Sequence, residues 1–435
     1  MTLTEITASQ LIPVLHDSFT IGRWRHYMPI GVVGIVVWSL WLYRAVASRF
    51  YRPVCNEFRT TTTVVVPSYR EDPVILAGCL DSWLEQDPTE LIVVVDTADT
   101  ECIELLNDRA EWDARLRIIE FEHKGKRSAL GVGIRRATCE IIVFSDSDTI
   151  WEPGLLAAVQ MPFEDPQVGG VGTQQNVYQR CSSVWRRIAD WLLNLRYYDY
   201  VPAMSRRGGV ICLSGRTAAY RADAIRPVVQ HLEDEFFLGR RCVAGDDGRM
   251  TWLTLAQGYR TVHQSSARAM SMFPDTLGAF VKQRVRWSRN SYRCYLTALW
   301  KGWIWQTSWV SQLTVLQVLL TPVTMGATLA YMIADQLDSG RAAALAAGWL
   351  LLSRSIRGYS HLRRYPGEIL LLPVVVIVVI CISLPIKLYA FITMNRQGWL
   401  TRSNDSVGGD GQSSGTLWKS ERMSAAAEPS VPVTD

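Results

Sequence analysis

Between about residue 61 and residue 280, short apolar runs alternate with longer stretches of mixed polarity. TTTVVVPSY, LIVVVDTAD and EIIVFSDSD are rich in valine and isoleucine, too short for helices, and each ends in polar or acidic residues. Such runs predict buried strands alternating with helices, the pattern of a mostly parallel sheet in an α/β domain. Ligands of open α/β sheets bind at the carboxyl ends of the strands. Chemistry is therefore expected at those polar tips. Downstream, GRMTWLTLAQGYRT after Gly245-Asp246-Asp247 predicts a helix and then a strand.

Towards both ends the pattern changes. Residues 27–43 (YMPIGVVGIVVWSLWLY) carry no charge, and their length is near the lower limit of about 17 residues for a membrane crossing. A signal peptide is the competing reading, but no small-residue cleavage site follows, and Arg44, Arg49 and Arg52 come next. A basic flank places the segment that follows in the cytoplasm and the N-terminus outside. Residues 281–303 intersperse arginines with Val, Trp, Tyr and Leu, the composition of an amphipathic helix in the membrane interface. Apolar runs then occupy 309–333, 342–352 and 369–394, and the middle one is short for a crossing. The last contains Pro373, Pro385 and Lys387, and suits one tilted crossing or two pieces broken near Pro385. Ahead of it, RSIRGYSHLRRYPGE is basic and expected on the cytoplasmic side. The Gly-, Ser-, Asp- and Ala-rich tail from 403 onward reads as disordered.

The expected organisation is an N-terminal segment (1–26), a transmembrane helix (27–48), a cytoplasmic α/β domain (55–279), an interfacial helix (280–305), a membrane region (306–402) and a tail (403–435). Its 435 residues suffice for one full catalytic domain and additional segments. The chain is 48% hydrophobic, but its longest apolar runs gather towards the ends, so the average conceals a membrane protein. Nine cysteines show no C-x-x-C spacing, which favours buried reduced thiols, Cys381 among them, over a disulfide framework or metal cluster. Net charge is +4, and the arginines lie beside apolar segments and inside motifs rather than in a basic stripe interleaved with aromatics. Nucleic acid is not an expected partner.

Asp146-Ser147-Asp148 closes one of the strands. Carboxylates two positions apart can share a divalent cation and leave coordination sites for a diphosphate, although turns also use aspartate freely. Asp96 ends another strand, and the first runs into Pro67-Ser68-Tyr69-Arg70-Glu71-Asp72. Acids at these tips either cap the next helix or line the sheet edge towards a nucleotide. Lys124 and Lys126 could meet its phosphates or be ordinary exposed lysines. Asp247 is an N-cap or, across from a bound diphosphate, a base for an attacking hydroxyl. Gln283, Arg286 and Trp287 stand at i, i+3 and i+4 and share one helix face. Arg286 and Trp287 could anchor that helix to lipid; alternatively the guanidinium grips a diphosphate while the indole stacks on a sugar.

VVPSYRED, VVVDTAD, HKGKRSAL, FSDSD, CLSG, GDDGRMT and QRVRW, in this order, resemble the membrane-integrated, processive family 2 glycosyltransferases, most closely the hyaluronan synthases. The likeness covers about residues 55–402. It implies a cytoplasmic GT-A domain using UDP-sugars with Mg2+ or Mn2+, in a multi-pass protein of the plasma membrane that exports its growing polysaccharide. On the family pattern Tyr69, Glu71 and Asp96 hold uridine, Lys126 meets the phosphates, and Asp146 and Asp148 serve the metal and donor. Asp247 would be the general base of a single-displacement inversion. Gln283 and Arg286 would lie by the diphosphate, Trp287 by the acceptor sugar, and Cys212 and Ser214 in the acceptor pocket.

Three departures stand out. Ser214-Gly215-Arg216 replaces the S-G-P of hyaluronan synthases and brings a charge to the acceptor side. Trp399, Leu400, Thr401 and Arg402 replace W-G-T-R, a loop expected to return to the cytoplasmic side. One clear N-terminal crossing stands where two are usual, so the last apolar run is expected to double back, or to include a re-entrant piece, around Pro385. UDP-GlcNAc and UDP-GlcA are the suspected donors. A single-donor chitin-, glucan- or capsule-type synthase, a non-processive transferase acting on a lipid carrier, and a membrane transporter or scaffold carrying an inactive transferase domain are the rival readings.

Overall fold

The computed structural model describes residues 32–122, 124–335 and 340–396. Segment 1–26, the start of the first apolar run, His123, the 399–402 tetrad and the 403–435 tail lie outside the described residues.

Eight strands form one sheet in the order β3-β2-β1-β4-β7-β6-β10-β5. The half formed by β1 (Thr62–Ser68), β2 (Glu90–Asp96), β3 (Leu116–Phe121) and β4 (Ile141–Ser145) is parallel throughout. Every residue of β2 is buried, as expected for a strand covered on both faces. In β1 the side chains alternate between two cores. Val64 and Val66 pack with Ile75, Leu76 and Trp83 of α1 (Pro73–Leu84), while Val65 turns to Leu130 and Ile134 of α2 (Lys126–Arg136). Helix α1 starts where the sequence says it should: Asp72 accepts from the Val74 N–H at 2.8 Å, and Pro73 occupies the first turn.

The second half is mixed. β7 (Thr217–Arg221) runs antiparallel to β4 and to β6 (Val168–Val177). β10 (Arg260–Ser271) pairs with β6 in parallel and with the short β5 (Thr149–Trp151) in antiparallel fashion. Two-residue strands β8 (Phe236–Phe237) and β9 (Arg240–Arg241) pair only with each other. The β4–β7 pairing sets Ser145 opposite Thr217 and so brings residue 216 beside the Asp146 turn.

Against this domain pack α3 (Val184–Leu195), α4 (Asp246–Ala256) and the long α5 (Leu277–Trp300), followed by α6 (Trp309–Asp335) and α7 (Gly340–Arg357). The amphipathic stretch expected from 281 thus begins one turn earlier, where Thr276 caps the helix by accepting from the Ala279 N–H. The first apolar run forms helix Val32–Arg49, whose Arg44 is buried and donates to Gln317 at 2.9 Å and Thr314 at 2.6 Å on α6.

The last apolar run does not double back. Residues Pro366–Ile392 form one helical run, the only described one long and apolar enough to cross a membrane. A wide π turn at Val378–Ser383 immediately precedes Pro385; opening the helix there lets the proline ring pass without a reversal. Its foot is tied to α3: buried Glu368 accepts from His361 Nε2 at 2.7 Å and from Arg180 and Arg187, and His361 Nδ1 lies 2.9 Å from Asn194 Nδ2. All nine cysteines are free. Cys79, Cys102, Cys139 and Cys242 are buried as expected, but Cys381 is exposed. Like Val374 and Ile377, it is exposed among the described residues.

Candidate active site

Residues Gly125 and Gly245 set the two loops that close on the strand tips. Both have positive φ, 104° and 85°, which a side chain would strain, and each precedes the helix whose first residues face the tips. Arg127 locks these loops together, donating to Glu235 at 2.7 Å and to the Ala244 carbonyl at 2.9 Å. Gly215 passes so near that a Cβ there would stand 3.2 Å from the Asp247 Cβ and 3.3 Å from an Asp246 carboxylate oxygen.

Around them is a cavity of about 370 Å3. Its floor includes Tyr69, Lys126, Asp146, Asp148, Asp246 and Asp247. Cys212, Ser214, Gln283, Arg286 and Trp287 form a further part of its wall. Residues spread over more than two hundred positions of sequence therefore share one space. Glu71 and Asp96 are not on its lining. Glu71 accepts from Ser147 Oγ at 2.5 Å and so steadies the turn between the two aspartates, while Asp96 is buried at the end of β2 and caps the Ala98 N–H at 2.8 Å. Trp151 pins the base of that turn by donating to Ser145 and Thr217.

Lys126 Nζ lies 2.5 Å from Asp146 and 3.0 Å from Asp246. Burial works against the charged ammonium, but Asp146 and Asp246 outweigh it and raise its proton affinity. In turn, burial pushes the Asp246 carboxyl up, and Lys126 overrides this to hold it below the ordinary value. Asp247 goes the other way: burial and the neighbouring Asp246 raise it. Its Oδ1 accepts from the Gly248 N–H at 2.8 Å, and Cys212 Sγ lies 3.7 Å from Oδ2. The thiol is itself pushed up to about 12, by burial and then by Asp247, so it stays protonated and faces the carboxylate as a weak donor.

Among the described residues no three or more His, Cys, Asp and Glu side chains gather into a metal cage. Asp146 and Asp148 fit a different type of site. They are hard oxygen donors in an acidic cluster that already attracts the Lys126 ammonium, suited to a divalent ion completed by phosphate oxygens.

On the wall, Trp287 meets Phe273 edge-on with ring centroids 6.2 Å apart. Arg196, Tyr197, Arg284 and Asn290 also line the cavity and are absent from the motif reading. Asn290 was within reach of that reading, since it follows Arg286 by four positions on the same helix. Arg196 and Tyr197 lie in an apolar, tyrosine-rich stretch with no local signal.

A mostly parallel sheet with acidic strand tips opening into one cavity defines a GT-A-type nucleotide-sugar transferase fold. The family model described as "Glycosyltransferase like family 2" matches residues 59–290, more than half the chain, and the protein belongs to that family. An N-acetylglucosaminyltransferase of Azorhizobium caulinodans is 33% identical over 241 residues, covering 54% of this chain and 61% of the relative. Another from Sinorhizobium fredii is also 33% identical, over 54% of this chain and 58% of its own. The chain thus spans about three fifths of these relatives' length. A hyaluronan synthase of Streptococcus pyogenes serotype M3 is 26% identical over 389 residues, covering 87% of this chain and 92% of the relative. Among solved structures, a mannosyltransferase from Pyrobaculum calidifontis in complex with GDP-Man and Mn2+ superposes with a TM-score of 0.57 at 21% identity, over 82% of this chain and 99% of that one. That likeness shows the fold.

Proposed function

We propose that this chain is a membrane-embedded, inverting glycosyltransferase that builds a polysaccharide from UDP-sugars and exports it. The observation that carries this reading is the shared cavity, lined by Asp146, Asp148 and Asp247 together with Gln283, Arg286 and Trp287. An acceptor hydroxyl oxygen attacks the anomeric carbon, the bond from that carbon to the diphosphate oxygen breaks, and UDP departs with the bonding pair. Asp247 takes the hydroxyl proton; its raised proton affinity suits a base working near neutral pH. Tyr69 faces the nucleotide, with Glu71 and Asp96 supporting the sheet edge behind it. Lys126, Gln283 and Arg286 meet the diphosphate, and Cys212, Ser214 and Trp287 hold the acceptor. Asp146 and Asp148 would hold Mg2+ or Mn2+, which supplies charge neutralisation for the leaving diphosphate.

Several surfaces support a multi-pass arrangement with the catalytic domain in the cytoplasm. Trp300, Trp305 and Trp309 are exposed where α5 gives way to α6, as in an aromatic belt at a bilayer surface. Leu370, Val374, Ile377 and Ile392 form an exposed apolar stripe on the last helical run. Hyaluronan-type polymerisation from UDP-GlcNAc and UDP-GlcA draws support from the nearly full-length match to a hyaluronan synthase. A single-donor enzyme using UDP-GlcNAc draws on the higher identity to N-acetylglucosaminyltransferases.

Asp247→Asn tests the base. Transfer should fall by about 10²- to 10⁴-fold, with UDP binding retained in a calorimetric titration; unchanged turnover rejects the assignment.

A further inference from the structure

Two guanidinium groups stand against the indole of Trp287. Arg216 Cζ lies 5.3 Å from the Trp287 ring and 3.8 Å from the Phe273 ring. Arg284 Cζ lies 5.2 Å from Trp287 and 5.0 Å from Phe280. Arg284 Nε and Nη2 are sealed from solvent without a hydrogen-bond partner among the described residues. Its charged neighbours are cations, Arg216 and Arg196, and burial with their repulsion drags the guanidinium down to about 10. Arg216 is buried and feels the charges of Asp148 and Asp146. Lys387, on the last helical run, has Arg284 and Arg354 as its charged neighbours.

Several other buried arginines are satisfied by acids or by neutral acceptors, Arg44 by Gln317 and Thr314. Arg127 is paired with Glu235 at 2.7 Å, and Arg180 with Asp190 at 3.0 Å. A buried cation without a counter-charge is unfavourable, and aromatic faces offset that only in part. The missing negative charge therefore comes with the ligand.

We infer that the sugar seated on Trp287 is acidic, and that Arg284 and Arg216 are specificity-determining residues for an acceptor carrying an anionic group. The inference rests on the transferase reading above and narrows its acceptor. A carboxylate and a phosphate share the required chemistry. A carboxylate on the sugar itself fits cations centred on the stacking platform, and repetition of that charge along a polymer fits the further cation Lys387.

The test uses the full chain in lipid nanodiscs with UDP and Mn2+. Equilibrium binding is measured for an oligosaccharide ending in a uronic acid, for the same oligosaccharide with that carboxyl reduced to an alcohol, and for a polyprenyl-phosphate-linked sugar. The acidic oligosaccharide should bind about ten- to a hundredfold more tightly than its reduced form. Arg284→Gln and Arg216→Gln should each shrink that ratio, in acceptor KM more than in kcat. Equal binding of the acidic and reduced forms overturns the proposal, as does tightest binding of the phosphate-linked sugar. The wild-type ligand pair decides even where a variant does not fold. Release of UDP from UDP-sugars, measured separately, reports the transferase reading, so transfer to the reduced acceptor alone would reject this inference and leave that reading standing.

Discussion

On the floor of the cavity Asp146 and Asp246 share the Lys126 ammonium, whereas on the wall Arg216 and Arg284 lie against aromatic rings, and the charged neighbours of Arg284 are other cations. Both regions are buried and charged, but only the floor is neutralised from within. A floor whose acids already attract a cation is prepared for a ligand that arrives with its own positive ion, as a metal-bound diphosphate does. The wall is prepared for a ligand that arrives negative. Asp247 sits where the two meet, and burial and the neighbouring Asp246 raise its proton affinity.

Removing charge from the floor should have the largest effect. Asp148→Ala is expected to lower kcat/KM at least about a hundredfold, because several kcal/mol of charge stabilisation on the leaving group depends on it; added Mn2+ should recover part of the loss in steady-state assays. On the wall, Trp287→Ala should raise acceptor KM about tenfold while UDP affinity is kept. Equal losses for donor and acceptor would erase the distinction between the two regions.

A pH profile sharpens the boundary between them. A base with raised proton affinity works above its own pKa and is lost as pH falls through it, so the acid limb of kcat/KM should lie above the ordinary aspartate value of about 3.9. Asp246→Asn removes the like charge but not the burial. The limb should move to lower pH, by about one unit or less. The smallest effect on catalysis is expected far from both regions: Glu368→Ala leaves His361 and Arg180 without their shared acid. It should lower stability by about 3 kcal/mol, read as an earlier thermal transition, with acceptor KM little changed.

The half of the fold that positions the nucleotide side was legible because its strands are continuous valine and isoleucine runs with acids at their ends. β1, β2 and β4 occur where those runs predict, and are parallel. β7 was not legible: TAAYR is short, and only pairing between β4 and β6 makes it a strand. The motif residues Asp146, Asp148, Asp247, Gln283, Arg286 and Trp287 do line one cavity. Two relations escaped local reading because they depend on chain crossings: Glu71 reaches the aspartate turn through Ser147, and Arg216 reaches Trp287 through the β4–β7 register. The number of crossings suggested a reversal near Pro385, but a π turn carries the helix through Pro385.

The most direct test of sugar transfer in this cavity is to incubate the purified wild-type protein in nanodiscs with Mn2+ and radiolabelled UDP-sugars, singly and in pairs. The account predicts release of free UDP matched by label in a saccharide product, with UDP-GlcNAc and UDP-GlcA together giving the longest chains. Intact UDP-sugar and no labelled product under every donor combination, from protein that still binds UDP, would contradict it.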